Sequence, residues 1–110
     1  MIPLTALVTG ASAGLGEEFA RLLAKDHHNL ILVARNEQRL QQLADELRQR
    51  YEVTVHVFAC DLSVPGAAQE LYDAVRDANL TIDMLINNAG FGLNGKFHAN
   101  PAQQEFALLQ

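Results

Sequence analysis

The sequence predicts an α/β fold in which short parallel strands alternate with amphipathic helices. Three observations carry this expectation. Two hydrophobic periods alternate along the 110 residues, short apolar or β-branched runs and longer stretches with apolar positions three and four apart. Some runs are nearly continuous in apolar residues, as strands buried on both faces require. A glycine-rich segment, TGASAGLG at residues 9–16, sits at the first strand-to-helix junction. Alternation of this kind implies right-handed crossovers and a parallel sheet.

Leu4 to Val8 form the first apolar run and the first expected strand. Leu15, Phe19, Leu22 and Leu23 then fall together at helical spacing, which predicts a helix with those residues inward. LILVA at 30–34 is the second strand. Leu40, Leu43, Ala44, Leu47 and Tyr51, with charges between them, make the second helix. VTVHVFA at 53–59 is β-branched and alternating, as a third strand should be. Leu71, Ala74, Val75 and Ala78 mark a third helical face, and IDMLINN at 82–88 is the fourth strand. Residues 89–101, AGFGLNGKFHANP, read as a loop. Pro101 is placed to open a further helix, with Asn100 as its N-cap.

The length suits one domain, and no repeat, low-complexity tract or linker divides it. Four strands are fewer than a doubly wound sheet uses. Residues 1–110 are therefore expected to be the first part of a single domain, with the fourth strand as a bare edge.

Composition narrows the function classes. Hydrophobic residues make up 49% and charged residues 19%, which suits a packed core and not a disordered chain. The net charge of −5 and the lack of a basic cluster argue against nucleic-acid binding. A single cysteine, Cys60, cannot form an intrachain disulfide, which fits a reducing compartment. It follows an apolar run and reads as packing. The N-terminus has no basic leader region, and its apolar run stops at Gly10, so it reads as a strand and not a signal peptide. No apolar stretch is long enough to span a bilayer. The expectation is a soluble, cytoplasmic protein with no membrane partner.

TGASAGLG fits two motifs at once. GASAG matches the nucleophile elbow of serine hydrolases, with Ser12 as nucleophile. That chemistry needs an acid, a histidine and a second oxyanion donor from an earlier strand and its loop. No earlier strand exists here, and the elbow leaves three glycines without a role. A phosphate cradle uses all three. Gly10 permits the sharp turn, Gly14 lets the backbone approach a pyrophosphate, and Gly16 lets helix and strand pack closely. The N–H groups at the helix start then face the anion.

The end of the second strand agrees with the cradle. An acid there would accept hydrogen bonds from a ribose 2′-hydroxyl, whereas an arginine accommodates a 2′-phosphate. The chain offers Arg35 and no acid until Glu37, and Arg39 one turn on could add a second positive charge. This points to NADP(H) ahead of NAD(H). Other helical charges, among them Glu17, Glu18, Asp45 and Glu46, read as solvated faces.

TGASAGLG, CDL at 60–62 and NNAG at 87–90 together resemble the N-terminal signatures of the short-chain dehydrogenase/reductase family, in order and in context. The resemblance covers the whole chain and implies a Rossmann-like doubly wound parallel sheet, of which the first four strands and their helices are here. It implies that Gly10, Ser12, Ala13, Gly14, Leu15 and Gly16 line the pyrophosphate and adenosine ribose, with Ser12 a hydroxyl near the phosphates. Asp61 and Leu62 would contact the adenine edge. Asn87 would tie neighbouring strands, while Asn88, Ala89 and Gly90 would run beside the cofactor ribose.

The family's activity is hydride transfer between a nicotinamide and a carbonyl or alcohol. Its Tyr-x-x-x-Lys pair places a cation one helical turn from the acid/base phenol. Tyr72 and Arg76 have that spacing, but they precede NNAG and carry Arg for Lys, so they are read as a decoy. No catalytic residue is assigned within 1–110. The resemblance implies an NADP-dependent enzyme with a small-molecule substrate and a homodimer or homotetramer, this chain being its cofactor half. A non-catalytic dinucleotide-binding or regulatory module is the alternative.

Overall fold

A computed structural model of the chain describes residues 3–88. Seven elements follow one another: β1 (Thr5–Thr9), α1 (Gly14–Lys25), β2 (Asn29–Ala34), α2 (Glu37–Tyr51), β3 (Val55–Ala59), α3 (Ala67–Asp77) and β4 (Met84–Asn87). The four strands form one parallel sheet in the order β3-β2-β1-β4. The chain therefore steps outward from β1 to β3, then returns to the other side of β1. A crevice belongs at that reversal, beyond the carboxyl ends of the strands.

Strand alternation divides the core into two layers, because successive side chains point to opposite faces. Ala6, Val8, Leu30, Leu32 and Ile86 face α1 and α2, where Ala20, Ala24, Leu40, Leu43, Ala44 and Leu47 meet them. Leu7, Ile31, Val33 and Leu85 face α3 and pack on Leu71 and Val75. Both faces of the central strands are covered, which is why β1 and β2 read as unbroken apolar runs.

The buried face of α1 differs from the expected one. Gly16, Ala20 and Ala24 point inward, with Phe19 and Leu23 partly buried beside them. Leu15 is 50% and Leu22 60% exposed. The reason is the close approach at Gly16, which leaves room only for small side chains along the stripe four residues apart. In α3 the stripe is Ala67, Leu71 and Val75, while Ala78 is an exposed C-cap. The apolar face of α2 lies as its spacing indicates.

Strand starts are trimmed by side-chain capping. The Thr5 N–H donates to Asp83 Oδ2 (2.8 Å), and Asp83 N–H donates to the Thr5 carbonyl (2.8 Å). This reciprocal pair starts the β1–β4 ladder at Met84, two residues later than expected. His28 Nδ1 accepts from the Leu4 N–H (3.1 Å), and His27 at φ 64° turns the chain out of α1. The adjacent histidines thus serve the corner. Among the described residues no cluster of metal-ligating side chains occurs, and no helix is long and apolar enough to cross a membrane. The loop at 89–101 and the helix start at Asn100–Pro101 lie outside the described residues.

Candidate functional site

All four strands end at the same edge of the sheet, and register brings their next residues together. Thr9 pairs with Val33 and Asn87, and Ala34 pairs with Ala59. Gly10, Arg35, Cys60 and Asn88 therefore leave the sheet side by side. Two backbone bonds extend the ladder past the strand ends. Ala11 N–H donates to the Val33 carbonyl (3.1 Å), and Cys60 N–H donates to the Ala34 carbonyl (2.9 Å). A half-open cavity of about 290 Å³ lies here, lined by Gly10, Val33, Ala34, Arg35 and Cys60 to Ser63.

The glycine loop has the geometry of a close strand-to-helix junction. Gly10 and Gly14 adopt φ of 62° and 59°, where a side chain is strained. A β-carbon on Gly14 would meet nothing within 4 Å, so open space lies above that residue. A β-carbon on Gly16 would overlap the Gly10 carbonyl and come within 3.0 Å of Asn88 Nδ2. The Asn88 side chain thus lies beside Gly16 at the junction. Ala13 is the N-cap of α1 in extended backbone, and no side chain caps the helix. An α-helix leaves its first N–H groups without intrahelical partners. With no acceptor supplied by Ala13, this end is suited to an anion. Leu15 stands exposed at the first turn. Among the described residues Ser12 has no histidine or acid as a hydrogen-bond partner; its carbonyl accepts from Arg39.

At the β2 end the two arginines behave differently. Arg35 is exposed, lines the cavity, and makes no hydrogen bond or ion pair among the described residues. Arg39 is engaged. Its Nη2 donates to Glu17 Oε1 (2.8 Å) and its Nε to the Ser12 carbonyl (3.2 Å). Asn36 caps α2 by accepting from the Arg39 N–H (3.0 Å).

At the β3 end, Asp61 Oδ1 accepts from both the backbone N–H (3.0 Å) and hydroxyl (2.6 Å) of Ser63. These bonds hold its carboxyl below the usual aspartate range, with the positive charge of Arg35 a further cause. Its other carboxylate oxygen makes no hydrogen bond among the described residues. Asp61 does not cap α3, whose N-cap is Gly66. Ser63 is a site residue that the sequence reading missed, although Asp-x-Ser is the pattern of a local Asx turn. Cys60 is half-buried in the cavity wall. Burial, then the charges of Asp61 and Glu70, push its thiol up, so it stays protonated and weakly nucleophilic.

At the β4 end, Asn87 is buried and its Oδ1 accepts from Thr9 Oγ1 (3.1 Å), which ties β4 to β1. Ala89 and Gly90 lie outside the described residues. Tyr72 and Arg76 sit on α3, with the guanidinium 5.9 Å from the ring centroid, and Tyr72 packs on the second core layer. They form a surface contact on a helix flank.

The family model described as short chain dehydrogenase matches residues 4–108. A very-long-chain 3-oxoacyl-CoA reductase of Meyerozyma guilliermondii is 39% identical over 85 residues, 77% of this chain and 25% of that protein. L-Sorbose reductase of Gluconobacter frateurii, solved with NADPH and L-sorbose, superposes with a TM-score of 0.75. It is 34% identical over 84% of this chain and 35% of its own. A short-chain dehydrogenase from Sphingobium yanoikuyae, solved with NADPH, gives a TM-score of 0.72 and 40% identity, covering 81% and 34%. The chain thus spans a quarter to about a third of the length of these proteins.

Proposed function

Because this chain belongs to the short-chain dehydrogenase family and has its Rossmann-like parallel sheet, we propose that it is the cofactor half of an NADP(H)-dependent oxidoreductase. The reaction is hydride transfer between a nicotinamide and the carbonyl or alcohol of a small molecule. The observation that carries the cofactor choice is Arg35, an arginine with no hydrogen bond or ion pair among the described residues, at the end of β2 in the cavity wall. An arginine in that position accommodates a 2′-phosphate. The relatives solved with NADPH support the same choice.

The residues fit the group. The open space above Gly14 and the uncapped start of α1 suit a pyrophosphate on backbone N–H groups, with Gly10, Ser12, Ala13 and Gly16 shaping the loop. Leu15, exposed at the first turn, would line the pyrophosphate and adenosine ribose with them. Asp61, through its unused carboxylate oxygen, and Leu62 would hold the adenine edge. Asn88 would border the ribose, the role also proposed for Ala89 and Gly90 outside the described residues. When bound, the nicotinamide would give or accept the hydride, and these residues would orient it. No described residue is assigned the proton transfer to the substrate oxygen.

The test is binding of NADPH and NADH, followed by nicotinamide fluorescence, to the full-length protein and its Arg35→Asp variant. The variant should lose about tenfold or more in NADPH affinity, one charge-assisted contact, and hold NADH at least as tightly as before. Equal affinity of the unaltered protein for both cofactors would reject the NADP(H) assignment.

A further inference from the structure

We propose that Arg39 is a positioning residue for the phosphate loop, and that Arg35 alone supplies the charge that meets a 2′-phosphate. The inference rests on the cofactor reading above and assigns separate work to two arginines one turn apart.

Two of the five guanidinium donors of Arg39 are engaged, one on the Ser12 carbonyl and one on Glu17. Glu17 in turn uses its second oxygen for Arg21 Nε (3.2 Å) and Nη2 (3.0 Å), and Arg21 continues to Glu46. The side chain of Glu17 is only 15% exposed and lies against the first turn of α1. Arg39 is therefore neutralised locally by an ion-paired carboxylate, whereas Arg35 makes no ion pair among the described residues and feels only the nearby charge of Asp61.

The contact to Ser12 bears on the shape of the loop. A peptide unit is planar and trans, so its C=O and the next N–H point in opposite directions. Holding the Ser12 carbonyl against Arg39 fixes the Ala13 N–H to the opposite side. Ala13 offers no side chain that could hold this turn, and Gly14 follows with φ 59°. A segment so rich in glycine has many other conformations open to it. Arg39 also links α2 to the loop, while its own N–H is held by Asn36. The strap thus joins the ends of β1 and β2 through one side chain.

The experiment uses the full-length protein and its Arg39→Met variant. Affinities for NADP⁺ and NAD⁺ are measured by calorimetry, and amide hydrogen exchange is followed by peptide. Loss of the strap should weaken both cofactors by one common factor, about fivefold to tenfold, with their ratio unchanged within about twofold. Exchange should quicken in the peptide covering residues 10–17 while the β1–β3 strands keep their protection. A selective loss of NADP⁺ affinity, shifting the ratio tenfold, would overturn the proposal and make Arg39 a direct phosphate partner. Unchanged affinities with unchanged loop exchange would also overturn it. Should Arg39→Met lose protection throughout, Glu17→Gln decides by the same pattern at smaller size. If the unaltered protein binds neither dinucleotide, the cofactor reading fails. Loop exchange in Arg39→Met then still reports separately on the strap.

Discussion

Gly16 stands so close to Gly10 that a β-carbon on it would overlap the Gly10 carbonyl oxygen and lie 2.7 Å from the carbonyl carbon. The start of α1 is seated on the end of β1 by backbone contact, and this seat sets the phosphate loop between them. Gly16→Ala must push helix and strand apart. Overpacking of this kind costs about 1–3 kcal/mol. A denaturant titration should show that loss, and an unchanged midpoint would contradict the close seat.

Gly14→Ala separates local strain from packing. Its β-carbon meets no atom, so the cost is the left-handed backbone alone, about 1–2 kcal/mol. The added methyl occupies the space assigned to the pyrophosphate. Affinity for NADPH should therefore fall more steeply than stability does. Full affinity in a folded Gly14→Ala protein would remove the pyrophosphate from that place.

Thr9→Val tests the tie between β1 and β4. The Thr9 hydroxyl donates to Asn87 Oδ1 within the buried sheet, and valine keeps the shape without the donor. Loss of a buried partner costs about 1–3 kcal/mol. Thermal melting should fall accordingly, and a melt as high as that of the unaltered protein would show the bond idle.

Glu17 gives the strap a pH signature. Burial raises its pKa, but the hydrogen bonds from Arg21 and Arg39, aided by their charges, outweigh burial and hold it below the usual glutamate value. A carboxylate depressed in the folded state contributes stability above its unfolded pKa, about 4.3. That contribution is lost as pH falls through the lower folded value. Glu17→Gln should therefore flatten the stability profile on the acid side of about pH 5. Chemical denaturation at several pH values checks it, and identical slopes would contradict the ion pairs.

The succession of strands and helices, the burial of the first strand on both faces and the junction at TGASAGLG were legible because each rests on local periodicity or on glycine, whose conformational role is specific. The inward face of α1 was legible only in part: Phe19 and Leu23 pack against the core, but Leu15 and Leu22 are exposed. Leucines at helical spacing looked like core, but the close seat at Gly16 puts the small residues Ala20 and Ala24 at the centre of the buried stripe. Glu17 read as a solvated charge because its partner Arg39 is 22 residues away, and only the packing of α1 beside α2 makes them neighbours. The same distance hid the engagement of Arg39, which in sequence read as a second positive charge one turn beyond Arg35. Ser63 went unread because its effect is on the orientation of Asp61 and not on any ligand directly.

The claim that Arg35 reads a 2′-phosphate is tested most directly by ³¹P NMR of NADP⁺ titrated with the full-length protein. Contact with a guanidinium favours the dianion, so the 2′-phosphate resonance should shift on binding. Its titration should also move below the free value of about 6, and Arg35→Asp should abolish both effects. A 2′-phosphate whose resonance and titration stay at their free values while the pyrophosphate signals move would contradict the account.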